Sequence, residues 1–214
     1  MINRRYSFAD LVIAQLDAGV QALFGCPRGT GRPSPAKGLP EPELNEQERR
    51  EAARLMRVNH CGEICAQALY QGQTITARNP TLRRAMEHAA TEENDHLVWC
   101  EERLVQLGSH TSYLNPMFYI GSLGIGMLAG AAGDRWSLGF LAQTEEQVVR
   151  HLSKHLHHLP RRDEPSRAIV EQMKLDESGH ATAAVEAGAA RLPGPIRQLM
   201  RLSSRVMTGT TYWI

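Results

Sequence analysis

The chain has 214 residues, its formal net charge is +1 at pH 7, and 42% of its residues are hydrophobic. This length supports one sizeable hydrophobic core, so we expect one main domain. The near-neutral charge gives no indication of a nucleic-acid partner, which usually requires a basic surface. The four cysteines are too few and too scattered for a disulfide framework and favour a reducing compartment. The first 16 residues contain no continuous apolar run before a small-residue cleavage site, and we therefore expect no signal peptide.

The N-terminal part of the chain divides into a helix and a linker. Apolar residues recur at helical spacing over residues 7–24 and predict an amphipathic helix there. Residues 25–44 contain five prolines and four glycines, which predict an extended linker. The first helix is therefore expected to be an arm that docks on the main domain or on another surface. We place the main domain at residues 45–208 and a short tail at residues 209–214.

Two long helices are predicted after the linker. Asn45 followed by Glu48 matches a capping box, and helical periodicity continues from there to the Asn-Pro pair at residues 79–80. Thr81 is expected to cap the next helix, which ends near residues 107–108. Because the connection is short, these two helices are expected to be antiparallel neighbours.

Residues 111–133 form an uncharged segment. A stretch of this length can cross a bilayer, and Gly126 and Gly130 form a small-residue packing motif. Its five glycines, together with Asn115 and Pro116, lower its apolarity and argue against a membrane span. We expect a helix that is either buried or lies against lipid.

A second pair of helices is predicted beyond the apolar segment. The third helix of the bundle is expected at residues 136–158. Pro165 fits the first turn of the fourth helix, with Asp163 or Glu164 as its cap, and this helix should end near residues 192–195. The main domain is thus predicted as two helical hairpins joined by the apolar segment.

The chain is predicted to end in a short amphipathic helix and an aromatic tail. Three arginines recur every four residues, and three apolar residues lie opposite them: Arg197, Arg201 and Arg205 against Leu199, Leu202 and Val206. A basic stripe fits an anionic membrane surface, and a plain solvated face explains it equally well. Because the tail adds aromatic residues that favour a membrane interface, we expect peripheral membrane association.

Two Glu-x-x-His motifs, each with a glutamate upstream, are the most informative feature of the sequence. The residues are Glu93 with His96, Glu177 with His180, and the upstream Glu63 and Glu145. Residues three apart on an α-helix lie about 60° apart, so both side chains of a motif point into one space. One such motif is expected roughly once by chance, whereas two on helical stretches with matching glutamates are not. Four carboxylates and two imidazoles in this order predict the dinuclear metal centre of a ferritin-like four-helix bundle.

The donor set favours iron or manganese. Four buried carboxylates are tolerable only if their charge is compensated, and two divalent cations would compensate it. Oxygen donors with one imidazole per metal fit iron or manganese better than zinc, magnesium or calcium. Two ferrous ions can deliver two electrons to dioxygen and so hydroxylate a bound substrate.

Other metal-binding patterns in the sequence are weaker. His151 and His155 share a helix face, but no carboxylate or cysteine completes a set, so a half-solvated polar face is favoured. His151 lies six residues after Glu145, about 240° round the helix, which argues against direct ligation and leaves a proton-transfer role. Cys61 and Cys65 invite a thiolate–metal interpretation, but helix packing is favoured.

Four stretches of the sequence match a known family. They are Arg-Val-Asn-His-Cys-Gly-Glu at residues 57–63, Glu-Asn-Asp-His-Leu at 93–97, Glu-Glu at 145–146 and Asp-Glu-Ser-Gly-His at 176–180. They resemble the demethoxyubiquinone hydroxylases of ubiquinone biosynthesis, and the resemblance covers about residues 48–206. It implies six iron ligands. Glu63 and Glu145 would flank the irons, Glu93 and Glu177 would bridge them, and His96 and His180 would supply the imidazoles.

The resemblance also implies an activity and a location. The family's substrate is a polyprenylated methoxy-methyl benzoquinol, hydroxylated on the ring with two Fe²⁺ ions as cofactor, dioxygen as co-substrate and an external reductant that the sequence does not identify. The catalytic residues implied are the four glutamates and His151, which matches the family's histidine before a tyrosine, whereas Leu152 stands at the tyrosine position. Residues 1–42 resemble the bacterial form, which implies a peripheral protein on the cytoplasmic face of the bacterial inner membrane.

The expected partners are the membrane-embedded quinol, an anionic membrane surface and other proteins of ubiquinone biosynthesis, and no nucleic acid is expected. Two alternatives come from other functional classes. A ferritin-like protein that stores or detoxifies iron would share the metal centre, but the apolar segment does not fit the polar surface of a cage. A di-iron hydroxylase of tRNA would share the chemistry, but it needs a broad basic patch.

Overall fold

The computed structural model describes residues 8–25 and 27–214, which fold into seven α-helices. The helices are α1 (Phe8–Phe24), α2 (Glu46–Thr76), α3 (Pro80–Gln106), α4 (Asn115–Ala131), α5 (Asp134–His158), α6 (Glu164–Glu186) and α7 (Gly194–Thr211). No strand occurs among the described residues, which confirms the all-α prediction. The predicted start of α1 at residue 7 lies outside them.

The helix caps agree with the sequence at two positions and differ at one. Asn45 and Glu48 form the expected capping box at the start of α2, and Asp163 caps α6. The cap of α3 is Asn79, whose side chain accepts a hydrogen bond from the Thr81 backbone N–H at 2.9 Å. The prediction of Thr81 as the cap is therefore wrong, because the proline before it already occupies the first turn of the helix.

Four helices form the bundle that carries the functional side chains. α2 packs on α3, α5 packs on α6, and α3 also contacts α6. The two predicted hairpins are therefore present, and the architecture is that of a ferritin-like bundle with additional helices. α1, α4 and α7 pack on the outside, and each contacts α2.

The core of the bundle contains a polar layer between two apolar clusters. One cluster includes Met56 of α2 and Met173 of α6. The other includes Met86 of α3 and Leu141 of α5. On each bundle helix the glutamates and histidines of the predicted metal centre fall between these two clusters. Apolar clusters thus close the polar layer to water at both ends. Uncompensated charge inside such a layer is very costly.

The uncharged segment forms α4, which packs on α2 through glycines. A Cβ added at Gly126 would meet the backbone of Leu69, and one added at Gly72 would meet the backbone of α4. The opposite face is apolar and exposed, with Ile120 at 69% and Leu128 at 75%. Within the described part of the chain, no helix has both the length and the apolarity to cross a bilayer.

Residues 27–42, which we call the strap, lie along the bundle instead of forming a free spacer. Asn94 of α3 donates a hydrogen bond from Nδ2 to the backbone oxygen of Arg28 at 2.9 Å. Arg103, also on α3, pairs with Glu41 at 2.7 Å. The proline pattern predicts the lack of helix here, but it does not predict these contacts with α3.

The C-terminal helix is longer than expected and is anchored to α2. α7 has 18 residues and includes part of the predicted tail. The Tyr212 hydroxyl donates a hydrogen bond to Glu51, and the Arg54 guanidinium lies 5.1 Å from the centre of the Tyr212 ring. Arg54 also lies 4.3 Å from the centre of the Trp213 ring. The aromatic residues expected to face a membrane therefore pack partly on the bundle.

Candidate metal centre

Four of the six predicted ligands form one compact cluster in the polar layer. They are Glu63 from α2, Glu93 and His96 from α3, and Glu177 from α6, and all four are buried. Their ligand atoms lie within 4.8 Å of one another. Side chains from three helices thus converge on a space small enough for a metal ion.

His180 adjoins this cluster from the α6 side. Its Nδ1 atom lies 3.1 Å from Glu93 Oε1 and 3.4 Å from Glu177 Oε2. Glu93 also lies 2.9 Å from His96 Nδ1, so it sits between the two imidazoles. This position is the one expected of a carboxylate that serves both metal ions.

Glu145, the sixth predicted ligand, is buried beside the same acids and is held by a tyrosine. The Tyr70 hydroxyl donates a hydrogen bond to Glu145 Oε1 at 3.0 Å. Sequence reasoning did not identify Tyr70 as part of the site. A signal was present, because Tyr70 follows Glu63 by seven residues, which is two helical turns on the same face of α2.

Several buried polar atoms of the centre have no hydrogen-bond partner within the described structure. They are Glu93 Oε1, Glu145 Oε2, both carboxylate oxygens of Glu177, and His180 Nδ1. An unsatisfied buried carboxylate oxygen is costly, and native proteins rarely retain several together. Divalent cations would satisfy all five atoms, so the residues fit a metal centre.

Burial and neighbouring charges shift the pKa values of the cluster. Burial raises the pKa of Glu63 and of Glu145 well above the usual carboxyl range. Burial alone would lower the pKa of His96, but the Glu93 carboxylate and hydrogen bonds to other acids raise it well above its usual value. Binding of a divalent cation to these acids would therefore be accompanied by release of protons.

Each imidazole turns one nitrogen inward and the other towards an acid on the facing helix. His96 Nε2 lies 2.9 Å from Asp176 Oδ2. His180 Nε2 lies 2.9 Å from Glu92 Oε2. Both inward atoms are therefore Nδ1. Each outer acid directly precedes a motif glutamate on the facing helix: Asp176 precedes Glu177, and Glu92 precedes Glu93. Such outer acids fix the tautomer and orientation of a metal-binding histidine.

Neither outer acid was predicted to have a role, although Asp176 stands within one of the matched stretches. The signal was their position immediately before each Glu-x-x-His motif. On a helix, the residue before an inward glutamate points about 100° away, towards the neighbouring helix. Which histidine each acid meets depends on how α3 and α6 face each other, and periodicity does not reveal that.

An apolar cavity leads to the metal centre from the other side of α2. It has a volume of about 700 Å³ and lies between α2, α4, α5 and α7. Its lining is mostly apolar, but it includes Glu63 and His151. The cluster and the cavity therefore share one residue, Glu63, and a molecule in the cavity can approach the metal centre.

His151 lies on the cavity wall and outside the metal cluster, in agreement with the helical geometry. Its ring centre is 3.9 Å from that of His155, whose Nδ1 lies 2.7 Å from Asn59 Oδ1. Burial lowers the pKa of His151 to about 4, so the ring is neutral at pH 7. Its Nε2 is buried without a hydrogen-bond partner among the described residues. The hydrogen-bonding capacity of that atom is therefore unused among the described residues.

The remaining candidate positions do not join the cluster. Leu152, at the position of the family's tyrosine, is buried in the apolar core. Cys61 is buried and Cys65 lines the cavity, and neither belongs to the metal-binding group found among the described residues. His157 and His158 are exposed near the end of α5.

Comparison with known proteins assigns the family. The family model of ubiquinone biosynthesis protein COQ7 matches residues 50–211. The chain is 58% identical to the 3-demethoxyubiquinol 3-hydroxylase of Nitrosococcus oceani over 214 residues, which is 100% of both chains. It is 57% identical to the protein of that name from Stutzerimonas stutzeri over 212 residues, 99% of both chains. A third, from Nitrosomonas europaea, is 54% identical over 205 residues, 96% of this chain and 98% of the relative. The chain therefore belongs to the family of ubiquinone biosynthesis protein COQ7.

Proposed function

We propose that this protein is a di-iron monooxygenase that hydroxylates a polyprenylated demethoxy benzoquinol, 2-polyprenyl-3-methyl-6-methoxy-1,4-benzoquinol, in ubiquinone biosynthesis. One oxygen atom of dioxygen enters the ring as a hydroxyl group and the other leaves as water. Each turnover therefore consumes two electrons from an external reductant. The observation that carries the proposal is that the apolar cavity and the buried acid cluster share Glu63.

The six residues of the centre would hold two ferrous ions. Glu63 and His96 would serve one ion, Glu145 and His180 the other, and the remaining two acids, Glu93 and Glu177, would serve both. When bound, the ions supply the electrons and the oxidising power for ring hydroxylation. The chain's own contribution is to hold the ligands in place and to keep water out of the layer.

The cavity suits a quinol with a long apolar tail. Its walls offer apolar contacts for the prenyl chain, and its polar groups include Glu63 and His151. The neutral imidazole of His151 can exchange a hydrogen bond with a ring hydroxyl of the quinol and so orient the ring towards the metal centre. A mostly apolar lining also limits the access of water to the reacting carbon.

The outer face around this cavity supports association with a membrane, where such a substrate resides. Leu128 of α4 and Leu199 of α7 both line the cavity and are 75% and 66% exposed. Leu202 and Val206 extend this apolar surface along α7. Exposed arginines of α7, such as Arg201, suit an anionic lipid surface. We place the protein peripherally on the cytoplasmic face of the bacterial inner membrane, with the cavity facing the lipid.

A direct test uses purified protein loaded anaerobically with ferrous iron. A short-chain demethoxy quinol, a chemical reductant and dioxygen are added, and the product is detected by mass spectrometry. We expect a gain of one oxygen atom in the quinol, and at least a hundredfold loss of turnover in Glu177→Ala, on the scale of losing an essential catalytic group. Glu171→Ala is the matched control, because Glu171 is exposed on the same helix. Full turnover in Glu177→Ala would refute the proposal.

A further inference from the structure

One cation of the strap reaches the outer side of the metal centre. Arg32 Nε lies 3.2 Å from Asp95 Oδ2, and Arg32 Nη2 lies 2.9 Å from Asp176 Oδ2. The Thr30 hydroxyl also donates a hydrogen bond to Asp95. Gly29 packs so closely on the Asp95 carboxylate that a Cβ there would collide with it. The strap thus fits closely over α3 and uses Arg32 to connect α3 with α6.

Besides Asp95, Arg32 contacts Asp176 and Trp99, and both of these side chains also lie beside His96. Asp176 Oδ2, which binds Arg32, lies 2.9 Å from His96 Nε2. The Arg32 guanidinium lies 5.2 Å from the centre of the Trp99 ring, and that ring lies 5.4 Å from the His96 ring. Arg32 therefore restrains the acid and the aromatic ring that surround this imidazole.

We infer that the strap is a positioning element of the metal centre, in which Arg32 holds Asp176 so that His96 keeps its Nδ1 atom directed at the acid cluster. The Asp176 side chain is 16% exposed, and its other oxygen, Oδ1, accepts a hydrogen bond from Gln172 Nε2 at 2.9 Å, so without Arg32 the carboxylate can rotate its Oδ2 atom towards water. His96 would then lose the acceptor that fixes its tautomer and ring orientation. The inference rests on the proposed metal centre, but Arg32 and the rest of the strap lie outside positions 50–211, where the family model matches.

The effect should be confined to one of the two metal positions. Glu92, the corresponding acid of His180, is 27% exposed, and the ion pairs found for it in the described chain are with His180 and the exposed His88. The strap therefore makes no equivalent contact on that side. Loss of Arg32 should weaken the metal position of His96 and leave that of His180 almost unchanged.

The test compares Arg32→Ala with the wild type in the complete protein, loaded anaerobically with ferrous iron. Stepwise affinities are measured by competition with a chelator, and Mössbauer spectra of the ⁵⁷Fe-loaded proteins report each iron separately. Arg28→Ala is the matched control, because Arg28 lies in the strap with an exposed side chain. Arg32→Lys keeps the positive charge but replaces the planar guanidinium by a single ammonium group, and it serves as the second variant if Arg32→Ala does not fold.

The expected result is a loss of about tenfold in affinity at one position, with one altered iron doublet, in Arg32→Ala. A smaller loss at the same position is expected in Arg32→Lys, and none in Arg28→Ala. Unchanged affinities and spectra in the Arg32 variants, or an equal loss at both positions, would overturn the inference. Wild-type protein that binds no ferrous ions would instead refute the proposed metal centre itself.

Discussion

The two halves of the metal centre share a sequence motif but differ in their surroundings. The His96 side chain is 0% exposed, and its outer acid, Asp176, is bound by Arg32. The His180 side chain is 12% exposed, and its outer acid, Glu92, is 27% exposed. Both imidazoles present Nδ1 to Glu93 and Glu177, and His96 Nδ1 also lies 3.7 Å from Glu63, so the two halves differ both in their inner acids and in their outer contacts. The repeated motif determines which atoms point into the polar layer, whereas a remote segment determines how firmly one imidazole is held.

Replacing each outer acid by its neutral amide should give the largest difference in ferrous affinity between the two halves. Asp176→Asn removes the partner of both His96 and Arg32, and we expect a loss of about 10- to 100-fold in affinity at one ferrous position. Glu92→Gln removes an acid that is already half-solvated, so its effect should be several times smaller. Chelator competition on both variants measures the two losses. Equal losses would show that the halves are equivalent and would contradict the comparison.

The Tyr70→Phe variant tests the inner contacts of the His180 half. The variant removes the 3.0 Å hydrogen bond to Glu145, the carboxylate assigned to that half. A hydrogen bond of this kind contributes about 1 kcal/mol, which corresponds to about a fivefold loss of ferrous affinity at one position. The exposed Tyr113→Phe is the control. If the position that weakens is the one affected by Asp176→Asn, the assignment of Glu145 is wrong.

Each half contains a buried glutamate with a raised pKa, and the pH dependence of protein stability can test this property. Burial raises the pKa of Glu63 and Glu145, so the stability that these two groups contribute to the metal-free protein is greatest below their ordinary pKa of 4.5 and falls as the pH rises towards their raised pKa values. Manganese replaces the protons and removes this loss. The difference in Tm between loaded and metal-free protein should therefore widen from about pH 5 to about pH 8, at roughly 2–4 °C per kcal/mol. A constant difference would contradict the pKa assignment.

The sequence was sufficient for the features that follow helical periodicity. The spacing of Glu93 and His96 within one motif, and of Glu177 and His180 within the other, places each pair on one helix face, and the structure brings both pairs into one layer. The capping box of α2 and the short turns likewise depend on neighbours in sequence. These local rules explain why the bundle and the composition of the polar layer were predictable.

The features that were missed depend on contacts between distant residues. Arg32 meets Asp176 across a separation of 144 residues, and a proline-rich composition predicts only that its segment is not helical. The bond between Tyr70 and Glu145 joins residues 75 apart on different hairpins. No periodicity connects such residues, because their contact depends on how the hairpins pack. The outer environment of the metal centre therefore had to come from the structure.

The central claim is that six side chains from four helices hold two iron ions in one buried layer. Crystals grown from protein loaded anaerobically with ferrous iron and measured at the iron absorption edge test it most directly. We expect two anomalous peaks, one beside His96 and one beside His180, with Glu93 and Glu177 between them. An empty polar layer, or iron bound only at the exposed histidines near the end of α5, would contradict it.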